Sequence, residues 1–134
     1  MRLCLVENLM TPIENCIVVQ LDDTIRTLKK GLRKNRQRTA IVISARKTVA
    51  GVITVKDLEF AQDDDSVSDY YKAPAWTITA DEPIGKARQR INENGNHQLI
   101  VVDDRKRPIG ILWDYDATLG CDDNDESDDV LKKN

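Results

Sequence analysis

The chain has 134 residues, a formal net charge of −3 and 32% charged residues, which is room for one compact domain or two small halves sharing a core. No run approaches the roughly 20 apolar residues that span a bilayer, and residues 1–10 lack the apolar core of a signal peptide. Six acidic residues crowd the segment 121–134, and without it 18 Lys and Arg face 17 Asp and Glu. That balance is too even for a general nucleic-acid binder.

Three cysteines, Cys4, Cys16 and Cys121, are scattered and odd in number, and His97 is the single histidine. No Cys-x-x-Cys pair is present and a zinc site is short of ligands. A reducing, cytoplasmic setting is expected.

Taken in order, Ile17–Val19 reads as an extended piece that ends at the acidic pair Asp22-Asp23. Ile25, Leu28 and Leu32, spaced i, i+3, i+7, then predict a helix with one buried stripe. Asp22 or Asp23 is its expected start, because a side-chain acceptor satisfies free N–H groups there. The apolar runs Ala40–Ile43 and Val49–Ile53, joined by the polar turn Ser44–Lys47, predict a hairpin. Gly51 inside the second run marks a bulge or the close approach of another group. A short helix follows around Val55–Ala61, and the polar stretch 62–69 reads as a linker.

The same order then recurs. Trp76–Ile78 is extended, and Ile84, Ala87 and Ile91 predict a second helix, started by Asp81 with Pro83 and ended at Asn94-Gly95. Leu99–Val102 and Ile109–Leu112 predict a second hairpin, with Gly110 in its second strand, and a short helix follows around Asp114–Leu119. Shifted by 59, residues 17–59 lie on 76–118 without a gap, with identities that include Asp22/Asp81, Asn35/Asn94, Gly51/Gly110 and Asp57/Asp116. Conservative pairs such as Val19/Ile78 and Leu32/Ile91 fall where both copies repeat one apolar pattern.

The fold class is therefore α/β (α+β): two tandem β-α-β-β-α repeats, whose bare apolar faces pack against each other with pseudo-twofold symmetry. Residues 1–62 form the first repeat and 63–120 the second. The acidic tail 121–134 is expected to be disordered.

Three motifs carry a family resemblance. Val-x-x-Leu-Met-Thr-Pro (Val6 to Pro12) leads the first copy, Val-x-x-Asp-x-Thr-Ile (Val19 to Ile25) follows, and Gly-Val-Ile-Thr-Val-Lys-Asp-Leu (Gly51 to Leu58) closes it. The chain resembles a tandem pair of CBS domains, the Bateman module, over residues 6–119. The resemblance implies a regulatory module and not an enzyme, with no required cofactor. It implies an adenosine-containing ligand (AMP, ADP or ATP, or S-adenosylmethionine) in a cleft between the copies. It also implies a homodimer, and a regulated enzyme or transporter as partner.

By the same resemblance, Asp57 meets ribose hydroxyls and Thr54 lies near phosphate. In the second copy Asp116 is kept while Trp113 stands in for the threonine. Val18 and Thr77 correspond to the residue flanking the base. Arg38 with Thr39, and His97 with Gln98, occupy the corner before the middle strand, and Ala40 and Leu99 complete the ligand-binding set.

Each of these residues has a plainer reading. Thr54-x-x-Asp57 ahead of a helix is also a capping box, which needs no ligand. The indole of Trp113 is expected to fill the second cleft, leaving the first as the functional one, and Trp76 raises the same question. The basic run Arg26, Lys29, Lys30, Arg33, Lys34, Arg36 and Arg38 reads mainly as a solvated helix face, with Arg38 placed to reach a phosphate. His97 shows no carboxylate or nucleophile partner, and no Gly-rich phosphate loop is present. Two further readings stand beside ligand sensing: an interaction module with degenerate clefts, and divalent-cation sensing through the acidic tail.

Overall fold

The structure, a computed structural model, describes residues 4–73, 76–95 and 97–119. The acidic stretch expected to form a tail lies outside these residues. In chain order the elements are α1 (Val6–Leu9), β1 (Thr11–Pro12), β2 (Ile17–Gln20), α2 (Ile25–Lys34), β3 (Thr39–Ile43), β4 (Val49–Thr54), β5 (Thr77–Thr79), α3 (Ile84–Asn94), β6 (Gln98–Val102), β7 (Pro108–Trp113) and α4 (Asp114–Leu119). In the first copy β2 runs parallel to β3 through the crossover α2, and β4 returns antiparallel on β3. β5, β6 and β7 repeat that arrangement around α3. The sheets have the orders β2-β3-β4 and β1-β7-β6-β5.

Strand alternation divides the core. Ala40 and Val42 of β3 pack with Ile25, Leu28 and Leu32 of α2, while Leu99 and Val101 of β6 pack with Ile84, Ala87 and Ile91 of α3. Their neighbours Ile41, Ile43, Ile100 and Val102 point the other way and meet between the two copies. Both faces of the middle strands are thus covered, which is why those strands read as continuous apolar runs. Each fully buried Ile or Leu contributes about 1.5–3 kcal/mol, and Ile41, Ile100 and Ile111 of the shared layer are almost completely buried.

The helix starts differ from expectation. α2 is capped by Thr24, whose Oγ1 accepts from the Thr27 N–H at 3.2 Å. Asp23 closes the preceding turn instead, its Oδ2 accepting from the Gln20 N–H at 2.8 Å. α3 begins after Pro83 with no side-chain cap. At its other end Gly95 adopts φ 71° and terminates the helix, as the Asn-Gly pair predicts.

The segments leading into the two copies are exchanged. Val6 is fully buried, and it sits in the core of the second copy. Its N–H donates to the Glu82 carbonyl at 2.9 Å, and the Glu7 N–H donates to that of Ala80 at 3.0 Å. β1 then pairs with β7. Conversely Val67, also fully buried, completes the core of the first copy, and Lys72 bridges to Val52 of β4.

The stretch read as a linker is therefore structural. The Asp65 and Asp63 carbonyls accept the Ile25 and Arg26 N–H groups at 2.8 and 3.0 Å, which satisfies donors that open α2. The Asp64 and Asp63 carboxylates pair with Arg26 and Lys29.

Gly51 and Gly110 mark the crossings. A Cβ on Gly51 would overlap the Lys72 carbonyl oxygen, and one on Gly110 would overlap that of Thr11. The repeated glycine thus reflects close backbone approach. Among the described residues no helix is long and apolar enough to cross a membrane. Among the described residues Cys16 is a free thiol.

Candidate functional site

Two clefts open where the ends of the copies meet. The first, about 610 Å³, is lined by Arg36, Arg38, Thr39, Thr54 and Lys56 of the first copy, faced by Trp113 and Tyr115 of the second. The second, about 580 Å³, is lined by Lys72, Trp76, His97, Gln98 and Trp113, with Thr39 and Thr54 across it. The 59-residue shift relates the two: Arg38 and Thr39 take the places of His97 and Gln98.

Hairpin register assembles each wall. Thr39 lies opposite Thr54 in the β3–β4 ladder and Gln98 lies opposite Trp113 in β6–β7. Residues 15 apart in the chain thereby share one cleft edge.

Thr54 and Asp57 are engaged with each other. Asp57 Oδ2 accepts from the Thr54 N–H at 2.9 Å and from its hydroxyl at 3.1 Å, capping the 3-10 turn Val55–Leu58. The other oxygen faces Lys72 Nζ at 3.3 Å, with the Asp57 side chain only 8% exposed. Lys72 comes from the exchanged segment, a partner that sequence reasoning missed. In the second copy Trp113 supplies no hydroxyl, and Asp116 has no hydrogen bond or ion pair among the described residues. Desolvation by burial raises the pKa of its carboxyl.

The remaining candidates fall elsewhere. Ala40 and Leu99 are fully buried on the helix side of their strands, because period-two alternation sends their side chains away from the other copy. Val18 and Thr77 pair in register with Ile41 and Ile100, so they share the inter-copy face at the edge strands but line neither cleft. Asp57 and Asp116 lie behind the cleft walls. Arg38, Thr39 and Thr54 come together in the first cleft, while His97, Thr39 and Thr54 come together in the second.

Trp113 does not fill the second cleft, which stays open beside it. Its ring stacks on Tyr115, with centroids 6.3 Å apart and 14° between planes. This aromatic pair belongs to the first cleft, although both rings come from the second copy. Tyr115 went unnoticed in the sequence; the signal was an aromatic two residues from Trp113 at the strand-to-helix corner. Trp76 is partly exposed, with the Arg90 guanidinium 5.5 Å over its ring.

The clefts differ in charge. Among the described residues, Arg36, Arg38 and Lys56 of the first have no carboxylate partner within salt-bridge distance. In the second, Lys72 is paired with Asp57 and His97 Nδ1 lies 2.8 Å from Asp114 Oδ2. The sequence had shown no carboxylate for His97. The β6–β7 register brings one 17 residues away alongside it, and the Asp114 N–H donates to the His97 carbonyl at 2.8 Å. Cys16 also lines the first cleft; burial, which outweighs a hydrogen bond to Ile111 backbone, pushes its thiol up to about 11. Among the described residues no group of three or more His, Cys, Asp or Glu side chains could hold a metal ion.

No curated protein sequence matches the chain. Its fold is similar to the CBS domains of a transcriptional regulator from Streptococcus pneumoniae, at 21% identity and a TM-score of 0.78, covering 86% of this chain and 97% of that one. It is similar to CBSX2 from Arabidopsis thaliana, solved in complex with AMP, at 20% identity and a TM-score of 0.74, covering 87% of this chain and 94% of that one. The cytosolic domain of the Mg2+ channel MgtE in complex with ATP gives 20% identity and a TM-score of 0.78, covering 86% of this chain but 48% of that one. At these identities the likeness is one of fold. The CBS domain pattern itself matches twice, over residues 6–63 and 67–112, and the chain belongs to the CBS-domain family as a tandem pair.

Proposed function

We propose that this CBS pair is a non-catalytic regulatory module that binds an adenosine-containing nucleotide in its first cleft. The observation that carries the reading is the composition of that cleft. A stacked Trp113–Tyr115 pair offers a face for a base, while Thr54, Arg38 and two further cations stand opposite as phosphate partners. A cavity of about 610 Å³ is within the range for small ligands, about 300–1,000 Å³. The AMP and ATP complexes of the two relatives lend support by analogy. In this reading occupancy is passed to a partner enzyme or transporter by a homodimer.

Binding stabilises the folded state by about 2.7 kcal/mol at a hundredfold excess over Kd. A thermal-shift panel of AMP, ADP, ATP and S-adenosylmethionine tests this, with at least one expected to raise the midpoint by several degrees. No shift with any of them at millimolar concentration rejects the reading. One observation favours a second reading, an interaction module without ligand: Thr54 and Asp57 are already satisfied by each other and by Lys72. A dimer in light scattering that is indifferent to every nucleotide supports that alternative.

A further inference from the structure

Arg36, like Lys47 and Lys106 in the two hairpin turns, is a non-glycine residue with left-handed backbone, and of the three it is the one that lines the first cleft. It follows α2 with φ 55°, in the left-handed region, and the residue at the matching place after α3 is Gly95 with φ 71°. The turn around it is a glycine-type helix stop: the Gln37 N–H donates to the Leu32 carbonyl at 2.9 Å and the Arg36 N–H to that of Arg33 at 3.3 Å. Glycine adopts this conformation freely, and arginine does so at a cost. The two backbone hydrogen bonds offset part of that cost, while the exposed Arg36 side chain adds no ion pair or hydrogen bond of its own among the described residues. It lines the first cleft beside Arg38 and Lys56, and with Arg38 it also lines a contiguous outer groove that contains Glu59. Local rules are broken most often at functional sites.

We propose that Arg36 is a charge-selecting residue of the first cleft. It directs the cleft toward ligands with a second or third phosphate, whereas the second cleft, with glycine at the same place, takes ligands without that charge. This rests on the nucleotide reading of the first cleft and adds the ligand's charge class to it. A guanidinium meeting a distal phosphate makes charge-assisted hydrogen bonds that a monophosphate or nucleoside does not reach.

The test is calorimetric titration of the full chain and of Arg36→Gly and Arg36→Lys with ATP, AMP, adenosine and inorganic tripolyphosphate. Glycine suits the left-handed backbone, so Arg36→Gly retains the fold, and its unfolding midpoint verifies this. The wild type is expected to bind ATP about tenfold more tightly than AMP. Arg36→Gly should remove that preference with adenosine binding unchanged, and Arg36→Lys should restore part of it. An ATP-to-AMP ratio that Arg36→Gly leaves intact overturns the proposal. Should no adenosine compound bind, the nucleotide reading fails and tripolyphosphate alone decides the role of Arg36. Binding weakened about tenfold by Arg36→Gly upholds charge selection, while unaffected or absent binding overturns it.

Discussion

Replacing Gly51 by alanine tests whether the exchanged segment holds the first copy together. The new Cβ would overlap the Lys72 carbonyl oxygen and lie 2.7 Å from Tyr71 Cδ2, inside the 3.0 Å that real Cβ atoms essentially never breach. The obstacle is backbone, so β4 and the segment at Lys72 must separate. That separation strains or breaks two hydrogen bonds, Val52 N–H to the Lys72 carbonyl at 3.1 Å and Lys72 N–H to the Val52 carbonyl at 2.8 Å. Each is worth about 1 kcal/mol net, with a further cost if a buried group is left unpaired. Loosened packing of Tyr71 brings the expected loss to about 2–4 kcal/mol. For a domain of this size that corresponds to a fall in midpoint of roughly 8–15 °C. Gly85→Ala is the control, because no atom lies within 4 Å of its added Cβ. Gly85 is the second residue of α3, and alanine there restricts the unfolded chain more than glycine does, so stability should rise by about 0.4–1 kcal/mol. Thermal and urea unfolding read both variants. Gly51→Ala melting with the wild type would refute the close-approach account, and so would a Gly85→Ala loss of equal size.

Two further outcomes follow from ionisation. With its pKa near 11, the Cys16 thiol holds roughly one hundredth of the thiolate at pH 8 that an unperturbed cysteine would. Alkylation of native protein at Cys16, followed by peptide mass spectrometry, should be at least that much slower than in urea, and equal rates would contradict the burial argument. Asp116 has a raised folded-state pKa, so the folded protein holds its proton more tightly than the unfolded chain does. The associated stability is present below the usual carboxylate range and is lost as pH rises through the folded value. Asp116→Asn should therefore raise the midpoint at pH 7, with the gain shrinking toward pH 3. A gain that is constant with pH would point to another cause.

Local chemistry made much of the fold legible. The i, i+3, i+7 stripes at Ile25 and Ile84, the apolar runs of β3 and β6, and the Asn94-Gly95 stop are short-range patterns, and backbone geometry alone decides them. The paired glycines announced a bulge or close approach, and the 59-residue repeat announced two copies of one unit. Helix starts were less legible, because Asp22, Asp23 and Thr24 are all competent acceptors and only the turn geometry chose Thr24.

What the chain by itself determined was thus the repeated unit, its buried stripes and the family to which it belongs. Tertiary structure decided the rest, since each remaining feature depends on residues far apart in the chain meeting in space. Val6 looks like the start of the first copy yet completes the second, because its N–H and that of Glu7 bond the Glu82 and Ala80 carbonyls and β1 pairs with β7. The same exchange delivers Lys72 to Asp57. The first cleft could not be assigned to one repeat either. Its cations come from the first copy and its aromatic pair from the second, joined by the packing of Ile41 and Ile43 on Ile100 and Val102.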